Sequence, residues 1–195
     1  MLYDIVQVGD PVLRRPARPV APEEIGTPFV QELIASMRLT MYEAPGVGLA
    51  APQVGESLQV VVVEDEGDHL EVMSPARRAE MRRAALPFAA LLNPTLEPVG
   101  DEADDFFEGC LSVEGYSAIV RRHRAVRVAA LDPAGRPVTM ELEGWPARIL
   151  QHELDHLAGV LYVDRMDPRT FTTNANLGRW WKARPAHDVR AAVNR

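Results

Sequence analysis

The sequence predicts an α+β fold in which mostly antiparallel β-sheets pack around one central helix. Three observations lead there. Leu58-Gln59-Val60-Val61-Val62-Val63-Glu64 is a β-branched run and reads as a strand. Ala125 to Leu131 and Pro137 to Leu142 flank the turn Asp132-Pro133-Ala134-Gly135, so they read as an antiparallel hairpin. The stretch from Trp145 to Gly159 repeats apolar residues at a helical period around Gln151-His152-Glu153-Leu154-Asp155-His156.

That last stretch organises the rest. On a helix, His152 and His156 fall on one face about one turn apart. They can then share a metal ion, with Glu153 projecting where a bound water would sit. Pro146 suits a first turn, Ala147, Ile149, Leu150, Leu154 and Leu157 form the apolar stripe, and Gly159 is a stop. The helix is expected over about Pro146 to Ala158. The bare pattern leaves a second reading open: a half-buried helix whose histidines face solvent or hydrogen-bond in the core.

Composition narrows the class. The chain has 195 residues, enough for one domain with a sizeable core. It is taken as a single domain over 1–195, with an irregular, proline-rich N-terminal arm at 1–27 and a variable C-terminal tail at 167–195. A net charge of −7 argues against broad nucleic-acid binding, which needs a basic face. No apolar run approaches the roughly 20 residues that span a bilayer. The N-terminus Met1-Leu2-Tyr3-Asp4-Ile5-Val6 lacks the pattern of a signal or transit peptide, so a cytoplasmic location is expected. A lone cysteine, Cys110, excludes an intrachain disulfide and is a structural thiol by default.

The remaining elements follow in order. Pro28 to Glu43 has helical periodicity, ended by Pro45-Gly46, and its methionines read as core filler. Gly46-Val47-Gly48-Leu49-Ala50-Ala51-Pro52-Gln53-Val54-Gly55 is a tight connection of small residues. Gln53 stands out in it, because a neutral amide can donate to an oxyanion. Glu64 to Asp68 reads as a solvated turn. Met73 to Ala90 reads as a surface insertion, with a short helix from Pro75 carrying Arg77, Arg78, Arg82 and Arg83 and ended by Pro87. Leu91 to Pro94 and Thr95 to Val99 read as strand, turn, strand. Asp101 to Asp105 reads as exposed. Gly109 frees the backbone beside Cys110, so a thiolate and the Leu111 amide can converge on one point. Ala118 to Val120 reads as a strand. Arg121, Arg122 and Arg124 read as a solvated edge, one of which could pair with Asp155. Val160 to Val163 reads as a short strand. Trp180 and Trp181 could dock on the body or on a partner.

A metal site on the helix needs a third ligand. Downstream the chain offers the carboxylates Asp164, Asp167 and Asp188, but Cys110 is the better candidate, since a thiolate binds borderline metals strongly. Three stretches, Gly46 to Gln53, Glu108-Gly109-Cys110-Leu111-Ser112 and Gln151 to His156, together resemble the peptide deformylase family in order and spacing. The resemblance covers roughly Val6 to Met166. Gly144-Trp145-Pro146-Ala147-Arg148-Ile149 and Asp164 to Phe171 are similar to the mitochondrial and plant subtype.

The resemblance implies removal of the formyl group from the N-terminal formyl-methionine of newly made proteins. It implies one divalent ion, Fe²⁺ natively, with Zn²⁺, Ni²⁺ or Co²⁺ as substitutes. Cys110, His152 and His156 match the ligands and Glu153 the general acid/base. Gln53 and the Leu111 amide match the oxyanion donors. Gly48 and Gly109 are assigned to the substrate backbone. Val47, Trp145 and Ile149 flank the matched motifs and are taken as the methionine pocket. Partners implied are formylated nascent peptides and the ribosome near its exit tunnel, with a homodimer worth testing. Glu114 and Ser117 depart from the family's usual proline and arginine, which puts substrate contacts on that side in question. An endopeptidase would share the helix without needing Cys110 or Gln53, and an inactive binding module would not need Glu153.

Overall fold

The computed structural model describes residues 2–66 and 74–194. The α+β architecture is as expected, and β2, the strand Val60–Asp65, shows how it is assembled. Successive side chains of a strand point to opposite faces. Val60 and Val62 enter one core cluster, with Val30, Leu33, Ile34, Met37 and Met41 of helix α1, Pro28–Glu43. Val61 and Val63 enter another, with Ala147, Ile149, Leu150 and Leu157 of helix α3, Trp145–Leu157. An unbroken valine run is what a strand covered on both faces requires.

Among the described residues β2 belongs to an antiparallel five-stranded sheet. Its order is β1 (Gly48–Ala50), β2, β3 (Leu86–Pro98), β6 (Ala125–Leu131), β7 (Pro137–Glu143). A three-stranded sheet joins β4 (Ala103–Cys110), β5 (Val113–His123) and β8 (Thr172–Thr173). Helix α3 runs between the two sheets. Its apolar side packs on β2 and β3, and its polar side, with Arg148, His152 and Asp155, meets β4 and β5.

The ends of α3 are set by glycines. Gly144 at its N-cap has φ +65°, and Trp145-Pro146 fill the first turn. Gly159 just past its end has φ +75°, and a β-carbon there would lie 2.8 Å from the Arg14 carbonyl carbon. No larger residue fits that backbone or that gap.

Several local expectations change. Residues 91–98 are not strand, turn, strand but part of one bulged strand, β3. The β3–β6 register slips between Leu92 and Thr95, and Asn93 sits there at φ +50°. Its carboxamide bonds both backbone groups of Val20, at 2.8 and 2.9 Å, which stabilises a bulge rather than a reversal. Pro87 does not end a helix. Helix α2 is only Pro75–Glu80, so Arg82 and Arg83 lie beyond it, and Pro87 lies in β3 where the β2–β3 register is also irregular. Residues 160–163 are not a strand, since Tyr162–Arg165 forms a helical turn. The Asp164 carboxylate accepts from Leu161 N at 2.8 Å, closing that turn.

Charged positions also differ from expectation. Asp65 is not in a solvated turn but fully buried at the end of β2. Gly67, Asp68 and Met73 lie outside the described residues. Asp104 and Asp105 are not exposed; they lie half-buried in β4, paired with Arg124 and Arg190. Arg190 also reaches Asp167 at 3.0 Å, which ties the short helix Ala186–Val193 to the body. Trp180 is exposed, with the Arg179 guanidinium over its ring.

Candidate active site

Cys110 closes β4 and faces the polar side of α3. Its Sγ lies 3.2 Å from His156 Nε2, and the ligand atoms of Cys110, His152 and His156 all lie within 4.8 Å of one another. One thiolate and two imidazoles this close are a donor set for a single divalent ion. Cys110 is therefore not an isolated structural thiol.

Glu108 holds the arrangement in place. It lies two residues before Cys110 on β4 and, like Cys110, meets a histidine of α3. It is buried and accepts from His152 Nδ1 at 3.0 Å. That fixes the ring and leaves Nε2 for the metal side. Arg122 binds both Glu108 oxygens at 3.0 Å, and Arg148 binds one at 2.6 Å. Arg122 then continues to Asp155, which Arg165 grips from the other side at 2.6 and 2.7 Å. Burial alone would raise the Glu108 carboxyl, but its hydrogen bonds from His152 and Arg122 hold it well below the usual range. The expected Asp155 pairing is present, but Arg122 is buried rather than on a solvated edge.

Glu153 points into the site. Burial pushes its carboxyl up to about 7, and its Oε2 is buried with no hydrogen-bond partner among the described residues. A lone buried carboxylate oxygen beside the donor set is a place for a proton or a water. Gln53 is also buried, and its orientation is set. Its Oε1 accepts from Ala50 N at 2.8 Å, which turns the NH₂ end toward Ser112 Oγ at 3.3 Å and Cys110 Sγ at 3.6 Å.

A cleft of about 360 Å³ opens onto these groups. Val47, Gly48, Gln53, Gly109, Cys110, Leu111, Trp145, Ile149, His152 and Glu153 all line it, so it gathers every predicted site residue except His156. His156 lies behind, 1% exposed, against Cys110. Seven lining residues were not assigned to the site: Pro45, Gly46 and Glu108, which adjoin predicted ones, and four others. Arg148 belongs to the Glu108 network. Arg83 comes from beyond α2. Tyr116 and Asn174 form the far rim, where Ser117 Oγ donates to Asn174 Oδ1 at 2.7 Å. Glu108 could have been found from its alternation with Cys110 along a strand. Arg83 and Asn174 carried no local signal.

A family profile for polypeptide deformylase matches residues 2–172. The chain belongs to the polypeptide deformylase family. Members are metal-dependent hydrolases that remove the N-terminal formyl group from nascent peptides, and this chain is one of these enzymes. It is 47% identical over 189 residues to peptide deformylase 3 of Streptomyces avermitilis, covering 97% of this chain and 82% of that protein. It is 46% identical over 174 residues to the chloroplastic peptide deformylase 1A of Solanum lycopersicum, covering 89% of this chain and 63% of that longer protein. A crystal structure of the class I type b peptide deformylase of Acinetobacter baumannii, with Met-Ala-Ser bound, superposes with a TM-score of 0.76 at 32% identity. It covers 85% of this chain and 99% of that one. Among the described residues no helix is long and apolar enough to cross a membrane.

Proposed function

We propose that this chain deformylates formyl-methionyl peptides with Cys110, His152 and His156 as the metal ligands and Glu153 as the general acid/base. The convergence of a Cys/His/His donor set, a buried Glu153 and an oriented Gln53 amide on one cleft carries the reading. The donor set fits a divalent ion, and Fe²⁺ is the ion this reading favours, with Zn²⁺, Ni²⁺ and Co²⁺ as substitutes. A divalent ion held there supplies Lewis acidity that makes water nucleophilic near neutral pH.

The protein's own groups do the rest. Glu153 takes a proton from the attacking water and delivers it to the departing amine nitrogen, so the products are formate and a free N-terminus. Burial raises that carboxyl, which favours its holding a proton between the two halves of the transfer. As the formyl carbon becomes tetrahedral its oxygen gains charge, and this reading assigns the Gln53 NH₂ and the Leu111 N–H as its donors. Gly48 and Gly109 let the peptide backbone approach, and Val47, Trp145 and Ile149 receive the methionine side chain. The peptide then continues toward Tyr116 and Asn174. The same reading places the enzyme in the bacterial cytoplasm, near the ribosomal exit tunnel, and makes a homodimer a state to test by sedimentation.

Formate release from formyl-Met-Ala-Ser, on protein purified anaerobically with its metal counted, tests the proposal. Rapid release at near-stoichiometric metal, abolished in Glu153→Ala, is the expected result. Stoichiometric metal without release would sink it.

A further inference from the structure

Three consecutive residues of the N-terminal arm join the two segments that carry the assigned oxyanion donors. Val6 N donates to Gln53 O at 2.9 Å, and Val8 N donates to Ser112 O at 2.7 Å. Between them, the Gln7 carboxamide is engaged at both ends. Its Nε2 donates to Leu111 O at 2.9 Å and to Ile5 O at 3.3 Å, and its Oε1 accepts from Glu114 N at 3.3 Å. The arm therefore ties the helical turn Ala51–Val54 to the turn between β4 and β5. That second turn is tight. Cys110 and Val113 are partnered across it, so Leu111 and Ser112 alone reverse the chain. A peptide unit is rigid, and each residue has only two soft dihedrals. The arm holds Leu111 O, Ser112 O and Glu114 N at once, which leaves the dihedrals that aim the Leu111 N–H little freedom.

We propose that Gln7 is a positioning residue for the reaction: through Leu111 O and Glu114 N it holds the β4–β5 turn in the conformation that aims the Leu111 N–H at the formyl oxygen. The proposal rests on the deformylase reading of the cleft. Gln7 is exposed and does not line the cleft, so it acts through Leu111 and not on the substrate. An oxyanion donor works by standing in place before the charge develops. A donor that loses its aim therefore slows the chemical step and leaves substrate binding nearly as it was. The backbone bonds of Val6 and Val8 do not involve the Gln7 side chain, so they keep the arm docked when that side chain is changed.

The test measures kcat and KM separately for formyl-Met-Ala-Ser, with metal content and thermal midpoint, in wild type, Gln7→Met and Gln7→Glu. Methionine keeps the length of the side chain and removes its hydrogen bonds. Glutamate keeps an acceptor for Glu114 N and puts an oxygen where the donor to Leu111 O stood. Both variants are expected to lose about tenfold or more in kcat, with KM, metal content and midpoint near wild type. The Gln7→Met loss should persist in a Gln53→Ala background, because Gln7 acts on the other donor. Wild-type kcat in either metal-loaded variant overturns the proposal. A loss carried by KM or by metal content also overturns it and leaves Gln7 as a structural tie. A loss that vanishes in the Gln53→Ala background places Gln7 on Gln53 instead and overturns it too. No formate from metal-loaded wild type overturns the deformylase reading, and this proposal with it.

Discussion

Gly48 is the surface against which the Glu153 carboxylate rests. A β-carbon on Gly48 would lie 2.8 Å from Cδ and 2.9 Å from Cγ of Glu153. The absence of a side chain at Gly48 makes the volume that the Glu153 carboxylate occupies. Gly48→Ala is expected to push the carboxylate out of line. Since general acid–base catalysis contributes about 10²–10⁴-fold, kcat/KM should fall about a hundredfold or more. Metal content should stay near wild type, because none of the three ligands touches that β-carbon position at closest range. Formate-release kinetics on metal-counted protein check this, and near-wild-type turnover would show that Glu153 works from another rotamer.

Glu108 is the joint between the Cys110/His152/His156 cluster and the buried arginines. Glu108→Gln removes the acceptor charge that His152 Nδ1, Arg122 and Arg148 share. Loss of such an orienting partner typically costs about 10–100-fold in metal affinity. Leaving buried cations without their partner costs about 3–5 kcal/mol. The variant should therefore show both a weaker metal in competition with a chelator and a lower urea midpoint. A change in affinity with stability intact would mean that Asp155 alone satisfies Arg122.

How much of this was readable in the chain depends on the distance over which each feature acts. The pairing of His152 with His156 and the helix that carries them were legible because a four-residue spacing is local. The valine run was legible as a strand for the same reason. Asn93-Pro94 misled because its turn chemistry is real, but the contact that decides its outcome comes from Val20, 73 residues away. Arg122 looked like one of a solvated group because nothing nearby announces that Glu108 and Asp155 bury it. The tail was invisible as part of the site, since long-range contacts bring Asn174 to the rim: the pairing of Thr172 and Thr173 with Ser117 and Tyr116, and the Ser117 hydroxyl.

Gln53 tests the oxyanion assignment. Its carbonyl is engaged by Ala50 N, so the NH₂ end is committed to the site. Loss of one oxyanion donor typically costs about 2.7–4 kcal/mol of transition-state stabilisation. Gln53→Ala should lower kcat about a hundredfold or more while metal stays bound. An unchanged kcat at full metal occupancy would remove Gln53 from the role.

Metal should also stabilise the fold, because three groups from β4 and α3 converge on it. A ligand that binds only the folded state adds about 2.7 kcal/mol when present at a hundred times its dissociation constant. Chelated protein should thus melt lower, and Zn²⁺ should restore the midpoint. Cys110→Ser should blunt that response, since it replaces the soft donor of the set. A midpoint indifferent to metal in the wild type would argue against the three-ligand site.

Asn174 tests whether the C-terminal segment belongs to the binding cleft. The segment is held firmly: β8 pairs with β5, Ile119 N donates to Thr170 Oγ1 at 2.9 Å, and the Tyr116 and Phe171 rings stack 5.0 Å apart. Ser117 Oγ engages Asn174 Oδ1, so the NH₂ is the side of that carboxamide left to meet a peptide carbonyl. Asn174→Ala should therefore raise KM for formyl-Met-Ala-Ser by about five- to tenfold, the worth of roughly one hydrogen bond of 1–1.5 kcal/mol, with kcat little changed. A formyl-methionine amide that ends before the downstream residues should lose far less. Asn174 is exposed, so the variant should fold normally. Equal losses on the short and long substrates would place Asn174 outside the peptide path and return the rim to a purely structural role.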